Sequence, residues 1–353
     1  MKFKLPKKLS ERFSREIGID LGTANTLVYL KGRGVVVNEP SVVAVNQKTG
    51  QVVAVGTQAR DMLGRTPLHI HAVRPLVEGV ISDFEVTEEM LSYLIKKAQE
   101  EKATFGPRVV IGVPSGVTNV EIRAVRDAAE NAGAREVFII EEPMAAALGA
   151  RLPVHEPVGT MIVDIGGGTT DIALISLGGI VRAKNIRVAG DVLNQDIAAY
   201  VRSEFKILIG DRTAEDVKIA VGSISKPLVP LQTTIRGRDL VTGLPREIVV
   251  TDADVRDAVG GSVGTIVEAI KEVIETAPPE VVADVMQRGI YLTGGGALLR
   301  GLPELLAAEL KVPIHVVDDP LTTVVRGTGM VLEDIEKYRS VLVDDEDGSF
   351  AGF

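Results

Sequence analysis

Met161–Ile175 reads MIVDIGGGTTDIALI: an apolar strand running into a carboxylate, three glycines and two threonines, then a second apolar strand. Met161, Ile162 and Val163 predict a buried strand with Asp164 at its end, and Asp171 to Ile175 predicts the returning strand of a hairpin. Between them Gly166, Gly167 and Gly168 form a turn with no side chains in the way, and Thr169 and Thr170 supply hydroxyls. Consecutive amides in such a turn make a concave, partly positive nest that an anion can approach closely. A carboxylate beside that nest would repel bare phosphate, so Asp164 calls for a divalent cation between them, and Mg²⁺ that keeps its waters fits best.

Working outward, the stretch has a weaker copy about 145 positions earlier. Ile17–Leu30, IGIDLGTANTLVYL, repeats the order apolar strand, Asp20, Gly22, Thr23, apolar strand, with one glycine where the other has three. One copy alone reads equally well as a Gly-rich β-turn with a solvated Asp. Two copies in register predict a duplicated fold whose halves face each other across one nucleotide.

A third glycine run closes another apolar strand. Gly289 to Thr293 leads into Gly294, Gly295, Gly296 and Ala297, a backbone able to lie against a flat base and ribose, with a plain turn as the alternative. Phe138 to Ile140 predicts a strand entering Glu141-Glu142-Pro143, a good helix start. Those glutamates complement a helix dipole or, at a sheet edge, orient an attacking water. Gly190 and Asp191 open a helix through about Phe205, and Glu215 and Lys218 stand one turn apart on a helix from Thr213 to Val221, the spacing of a surface ion pair.

The remaining chain frames these motifs. Val35 to Val37, Val42 to Val45 and Val52 to Val55 are short strands of a small subdomain reaching about Pro75. Thr87 to Ala103 and Asn119 to Ala132 are amphipathic helices around a strand at Val109 to Val113. Gln232 to Arg236 and Glu247 to Thr251 form a solvated hairpin, Asp252 to Thr276 a long helix stopped by Pro278-Pro279, and Pro303 to Leu310 a further helix. His69 and His71 have no other ligand-type residues near them, which disfavours a metal site there.

The chain of 353 residues exceeds the size at which one core usually stops growing, so two lobes are expected. A formal charge of −9 argues against general nucleic-acid binding. With no cysteine, disulfides and thiolate zinc sites are excluded. No run of about 18 apolar residues occurs and the first residues lack a signal-peptide core, so an intracellular protein is expected. Residues 1 to 15, MKFKLPKKLSERFSR, differ from the acidic body. Six basic residues face one Glu11, and Leu5, Leu9 and Phe13 fall at spacing four, a basic amphipathic helix suited to anionic lipid, with a solvated tail as the alternative. The Asp344-Asp345-Glu346-Asp347 run reads as an acidic tail.

No G-x-x-x-x-G-K-[ST] occurs, the glycine runs fail the dinucleotide pattern, and no G-x-S-x-G elbow is present, which narrows enzymatic candidates to phosphate chemistry. The stretches DLGTANT (20–26), NEPSVV (38–43), EEPMAAA (141–147), DIGGGTT (164–170) and LTGGGALLRG (292–301) resemble the actin, sugar kinase and heat-shock chaperone ATPase superfamily. Within it the chain is similar to the bacterial actin-like proteins that determine rod shape, from about Ile17 to Val331.

The resemblance implies an α/β actin-like ATPase fold: two lobes, each a ribonuclease-H-like mixed sheet flanked by helices plus a smaller subdomain, with ATP in the cleft. The first large subdomain would be 16–43, 77–156 and 326–343, and the first small one 44–76; the second large subdomain would be 157–192 and 257–325, and the second small one 193–256. Gly22, Thr23, Ala24 and Asn25 would hold phosphates from one side, and Gly166, Gly167, Gly168 and Thr169, with Asp191 nearby, from the other. Asp20 and Asp164 would hold hydrated Mg²⁺, and Glu142 would position the water, assisted by Thr169. Gly294, Gly295, Gly296 and Ala297 would meet the adenosine, flanked by Glu215 and Lys218. The implied activity is slow Mg-ATP hydrolysis coupled to homopolymer filaments on the inner face of the cell membrane, acting with membrane proteins of the cell-wall elongation machinery. Two departures stand out: Asp171 where the family carries Glu, and Ala220 where relatives carry an acid. The alternatives are a sugar or acetate kinase of the same fold, which would carry larger substrate loops, a chaperone-type ATPase, which would carry a substrate domain, and an actin relative in plasmid segregation or division.

Overall fold

The computed structural model describes residues 15–99 and 106–343. The basic segment before Arg15, the expected end of the helix at Ala103 and the acidic tail 344–353 lie outside the described residues. The chain divides into two compact units, 1–155 with 322–353, and 156–321.

The first unit opens with the hairpin β1 (Glu16–Leu21) and β2 (Asn25–Leu30), followed by β3 (Gly34–Pro40). Next come β4 (Val43–Asn46), β5 (Val52–Val55), α1 (Thr57–Met62), β6 (Ile70–Val73), β7 (Leu76–Val77) and β8 (Val80–Ile81). Then follow α2 (Phe84–Gln99), β9 (Arg108–Val113), α3 (Asn119–Asn131), β10 (Glu136–Glu141) and α4 (Glu142–Gly149), and the chain returns to this unit with α10 (Thr323–Glu333). The main sheet has the order β10-β9-β1-β2-β3, and β5-β4-β6 form a separate small sheet. Val35 to Val37 therefore lie in β3 of the main sheet, where Val37 pairs with Val28, and not with the small-sheet strands.

Side chains alternate across a strand. Ile17, Ile19, Val109, Ile111, Val137 and Ile139 join one core with Met90, Leu91, Leu94 and Ile95 of α2 and Ala128 and Ala129 of α3. Each such aliphatic side chain, once fully buried, contributes about 1.5–3 kcal/mol. Gly18, Gly112 and their row face the other way, onto α4 and α10. α3 starts on a capping box in which the Thr118 side chain takes the Glu121 amide and the Glu121 carboxylate takes the Thr118 amide. α2 begins at Phe84, one turn earlier than the sequence expectation, because the Asp83 carboxylate accepts from the Val86 amide at 3.1 Å.

The second unit repeats the plan. It carries β11 (Thr160–Ile165), β12 (Thr170–Ser176), β13 (Gly179–Ile186), α5 (Gly190–Phe205), β14 (Ile207–Leu208), α6 (Asp211–Val221), β15 (Gln232–Asp239), β16 (Pro245–Thr251) and α7 (Asp252–Glu275). After these come α8 (Pro279–Arg288), β17 (Ile290–Thr293), a 3₁₀ turn at Gly295–Leu298, α9 (Leu302–Leu310) and β18 (Ile314–Val316). Its main sheet runs β13-β12-β11-β17-β18, and β14-β15-β16 form a small sheet. In both units three antiparallel strands are followed by two parallel ones, with the hairpins β1–β2 and β11–β12 in equivalent places. The predicted duplication is thus present in the sheets themselves. Pro279, expected to lie in the stop of the long helix, sits instead in the first turn of α8, a position where its missing N–H costs nothing.

Candidate functional site

Asp20 and Asp164 occupy the same place, the penultimate residue of β1 and of β11. In the first unit Asp20 is opposite Gly112 in the β1–β9 register, and a Cβ on Gly112 would lie 3.4 Å from Cγ of Glu142. Asp20 and Glu142 therefore lie on one face, at the end of the sheet where the first hairpin turns. Glu142 is buried at 8% exposure as the first residue of α4, with Pro143 beside it in the first turn. That helix is held by α10 through backbone contact. A Cβ on Gly149 would come to 1.9 Å from the Thr323 carbonyl, and one on Gly327 to 1.8 Å from the Ala145 carbonyl, so neither position tolerates a side chain. Burial raises the Glu141 carboxyl above its ordinary value, more than the hydrogen bonds from Ser115 and Gly116 lower it.

The loop Gly22 to Ala24 is pinned by Ser41, a residue to which the sequence reading gave no role. Ser41 is fully buried. Its hydroxyl donates to the Gly22 carbonyl at 2.6 Å, and its amide donates to the Ala24 carbonyl at 3.0 Å. Thr23 is buried as well, and its hydroxyl oxygen accepts from the Gly79 amide at 2.9 Å, in the turn between β7 and β8. Asn25 is exposed. Gly22 has no room for a side chain, since a Cβ would stand 2.6 Å from the Asn25 carbonyl oxygen.

In the second unit the glycine loop is pinned by a helix. The Gly190 amide donates to the Gly166 carbonyl at 3.1 Å and the Asp191 amide to the Gly167 carbonyl at 2.8 Å, so two orphan donors at the head of α5 are satisfied by the loop. A trans peptide points its N–H opposite its C=O. With both carbonyls turned to α5, the amides of Gly167 and Gly168 face away from it, as an anion nest requires. Lys218 donates from Nζ to the Gly190 carbonyl at 2.9 Å, bringing its cation to this corner, and Glu215 stands one turn before it on α6. Thr169 is buried beside the loop. Thr170, expected to supply a second hydroxyl, instead donates it to the Val188 carbonyl at 2.7 Å, which ties β12 to the start of α5.

Asp164, Asp171 and Asn185 form one row across β11, β12 and β13, on one face of the sheet. Asp171 is 1% exposed and its Oδ2 accepts from Nδ2 of the Asn185 side chain at 2.9 Å. The shorter side chain noted in the sequence is thus met by a specific partner. The third glycine run packs on β11: a Cβ on Gly294 would stand 2.3 Å from Asp164 Oδ1, and one on Gly296 2.2 Å from Cγ2 of Ile165. Only Gly295 is open, its nearest neighbour being Leu321 at 3.5 Å. Two of the three glycines are therefore explained by internal packing, and Ala297 is buried in the core of this unit.

The first unit thus gathers Asp20, Gly22, Thr23, Ala24 and Glu142 at one sheet end, and the second gathers Asp164, Gly166, Gly167, Gly168, Thr169, Asp191, Lys218 and Gly294. The residues fit a hydrated divalent cation. Burial pushes the Asp20 carboxyl up to about 7, and no hydrogen-bond or ion-pair partner of that carboxylate occurs among the described residues. Such a carboxylate, ionised, is a hard oxygen ligand in need of a cation. Bound Mg²⁺ would supply charge neutralisation for phosphate oxygens.

The MreB/Mbl protein family matches residues 14–340. The cell shape-determining protein Mbl of Bacillus subtilis is 51% identical over 325 residues, covering 92% of this chain and 98% of the relative. The cell shape-determining protein MreB of Escherichia coli is 48% identical over 345 residues, covering 96% and 99%. Among solved structures, MreB5 of Spiroplasma citri bound to ADP matches with a TM-score of 0.88 at 41% identity, over 92% of this chain and 98% of that one, and its AMPPNP complex also gives 0.88. A MamK double helical filament matches with a TM-score of 0.78 at 25% identity, over 91% and 99%. The chain belongs to the MreB/Mbl family of actin-like, cell shape-determining cytoskeletal proteins.

Proposed function

We propose that the chain binds ATP with Mg²⁺, hydrolyses it slowly, and polymerises into filaments on the inner face of the cell membrane that organise cell-wall synthesis. The observation that carries this reading is the pair of hairpin loops, each with its carbonyls pinned and its amides turned outward beside a carboxylate. The amides of Thr23 and Asn25 and those of Gly167 and Gly168 take the phosphates, and Asp20 and Asp164 hold Mg²⁺ through water. Glu142 orients the attacking water and Thr169 assists. Lys218 and Glu215 serve the ribose and base, and Gly295 is the glycine left open to the adenosine. Hydrolysis of this kind needs an in-line water and charge stabilisation more than covalent chemistry. MreB5 has been captured with ADP and AMPPNP and MamK as a filament, which supports nucleotide binding and self-association here.

The chain comprises four subdomains, the small ones at 44–76 and 193–256, a reading supported by the separation of main and small sheets. Among the described residues no helix is long and apolar enough to cross a membrane. Residues 1–15 supply a peripheral anchor to anionic lipid, weak in one copy and effective along a polymer. Membrane proteins of the cell-wall elongation machinery are the further partners. The full chain and a version lacking residues 1–15, mixed with Mg-ATP and anionic liposomes, test the reading by pelleting and imaging. Membrane-bound filaments from the full chain and free filaments from the truncation support it. Absence of polymer from both, across nucleotide and salt conditions, contradicts the filament, and equal lipid binding by both contradicts the anchor.

A further inference from the structure

We infer that Ser41 is a positioning residue for the phosphate-facing amides of the first hairpin loop. The inference rests on the nucleotide reading above and assigns a role within it to a fully buried side chain. Ser41 follows Pro40, which pairs with Asn25 in the β2–β3 register. Proline has no N–H, so the next amide, that of Ser41, is the first of β3's end that can reach back to the loop. It takes the Ala24 carbonyl at 3.0 Å, while the Ser41 hydroxyl takes the Gly22 carbonyl at 2.6 Å. The Gly22 and Ala24 carbonyls are thereby held on the side of Ser41. Among the described residues no peptide is cis, so the amides of Thr23 and Asn25 are turned to the opposite side.

A hydroxyl has one proton to give. Thr26 Oγ1 lies 2.8 Å from Ser41 Oγ, and both side chains are fully buried. With the Ser41 proton committed to Gly22, the Thr26 hydroxyl is the donor to Ser41, and a short chain runs Thr26 to Ser41 to Gly22. This chain replaces in the first loop what the head of α5 does for the second. It fixes the direction of the amides. Removing it loosens the grip on phosphates and leaves nucleoside binding alone.

The test compares wild type, Ser41→Ala, Thr26→Val and Thr26→Ser as full chains, titrated with Mg-ATP, Mg-ADP and adenosine, with thermal unfolding recorded without nucleotide. Ser41→Ala weakens Mg-ATP and Mg-ADP by about tenfold and shifts adenosine by less than about twofold, the size expected for misaligning charge-assisted hydrogen bonds. Thr26→Val moves the same ratio in the same direction by a smaller factor, and Thr26→Ser, which keeps the hydroxyl, restores it. A lowered melting temperature with unchanged discrimination between adenosine and Mg-ATP overturns the inference, because a merely structural hydroxyl gives that result. Equal losses for all three ligands overturn it too. If Ser41→Ala does not fold, the Thr26 pair carries the comparison. A wild-type chain that binds no Mg-ATP removes the nucleotide reading and this inference together, whereas tight wild-type binding with intact discrimination in the variants removes the inference alone.

Discussion

The hairpins β1–β2 and β11–β12 hold their turns in the same way with different parts. Both fill the third and fourth places of a five-stranded sheet counted from the parallel edge, and both place an aspartate one residue before the turn. The first loop has a single glycine, and its carbonyls are held by one serine from the end of β3. The second has three glycines, and its carbonyls are held by two amides at the head of α5. Across the strand from Asp20 stands Leu27, whereas across from Asp164 stands Asp171. What the two copies share, outward amides beside a carboxylate, is what phosphate and a hydrated cation need. What they do not share is scaffolding, which is free to differ so long as the peptide planes are fixed.

The largest effect is expected at the end of the first unit's parallel edge strand. Glu142 opens α4 there, directly after β10. Glu142→Gln lowers ATP hydrolysis by about 10²–10⁴-fold, as loss of a water-orienting base does, with Mg-ATP affinity nearly unchanged. Phosphate release alongside a binding titration checks it, and a parallel loss of affinity would make Glu142 a ligand-holding or structural group.

A smaller effect sharpens the contrast inside the third glycine run. Gly294 has φ +78, and a Cβ there meets Asp164 Oδ1 at 2.3 Å, while Gly295 is open. Gly294→Ala destabilises the chain by about 1–3 kcal/mol through strain and displacement of the carboxylate. Gly295→Ala leaves stability within about 0.5 kcal/mol, since a surface change away from such features rarely exceeds that. Denaturant unfolding of both variants without nucleotide separates the two.

A pH-dependent effect separates the two ends of β1. Burial raises Glu16, but hydrogen bonds from Lys31, at 2.6 Å, and from Arg108 outweigh it and hold its carboxyl below the ordinary 4.5. Asp20 has no such partners among the described residues and is pushed from 3.8 up to about 7. A lowered carboxyl contributes stability above its unfolded value that is lost as pH falls through the folded one. A raised carboxyl does the reverse: the native chain holds a proton the unfolded chain has released, so stability falls as pH rises from about 4 to about 7. In buffer free of nucleotide and divalent cation, Asp20→Asn removes that decline, and denaturation midpoints from pH 4 to 8 record it.

Much of this was legible in the sequence because glycine runs after apolar strands mark turns regardless of tertiary context. The hairpins and the head of α5 followed from that rule, and the start of α4 at Glu142 followed from Pro143 in the first turn. The helix Thr323–Glu333 was not legible. Its sequence, TVVRGTGMVLE, is buried on nearly every side and carries Gly327 and Gly329 for close approach to Ala145 and the Tyr29 ring, so it shows neither an amphipathic stripe nor good helix propensity. The contacts made by Ser41 and Lys218 were not legible for a different reason. They are bonds to carbonyls 19 and 28 positions away, and no local spacing encodes those. Thr170 shows the converse, a hydroxyl in a binding motif that serves the scaffold.

The most direct test of the paired-loop account is hydrogen exchange of the full chain with and without Mg-ATP. The account predicts slowed exchange in peptides covering both loops, through the amides of Thr23 and Asn25 and those of Gly167 and Gly168. Tight Mg-ATP binding with unchanged exchange in either loop would contradict it.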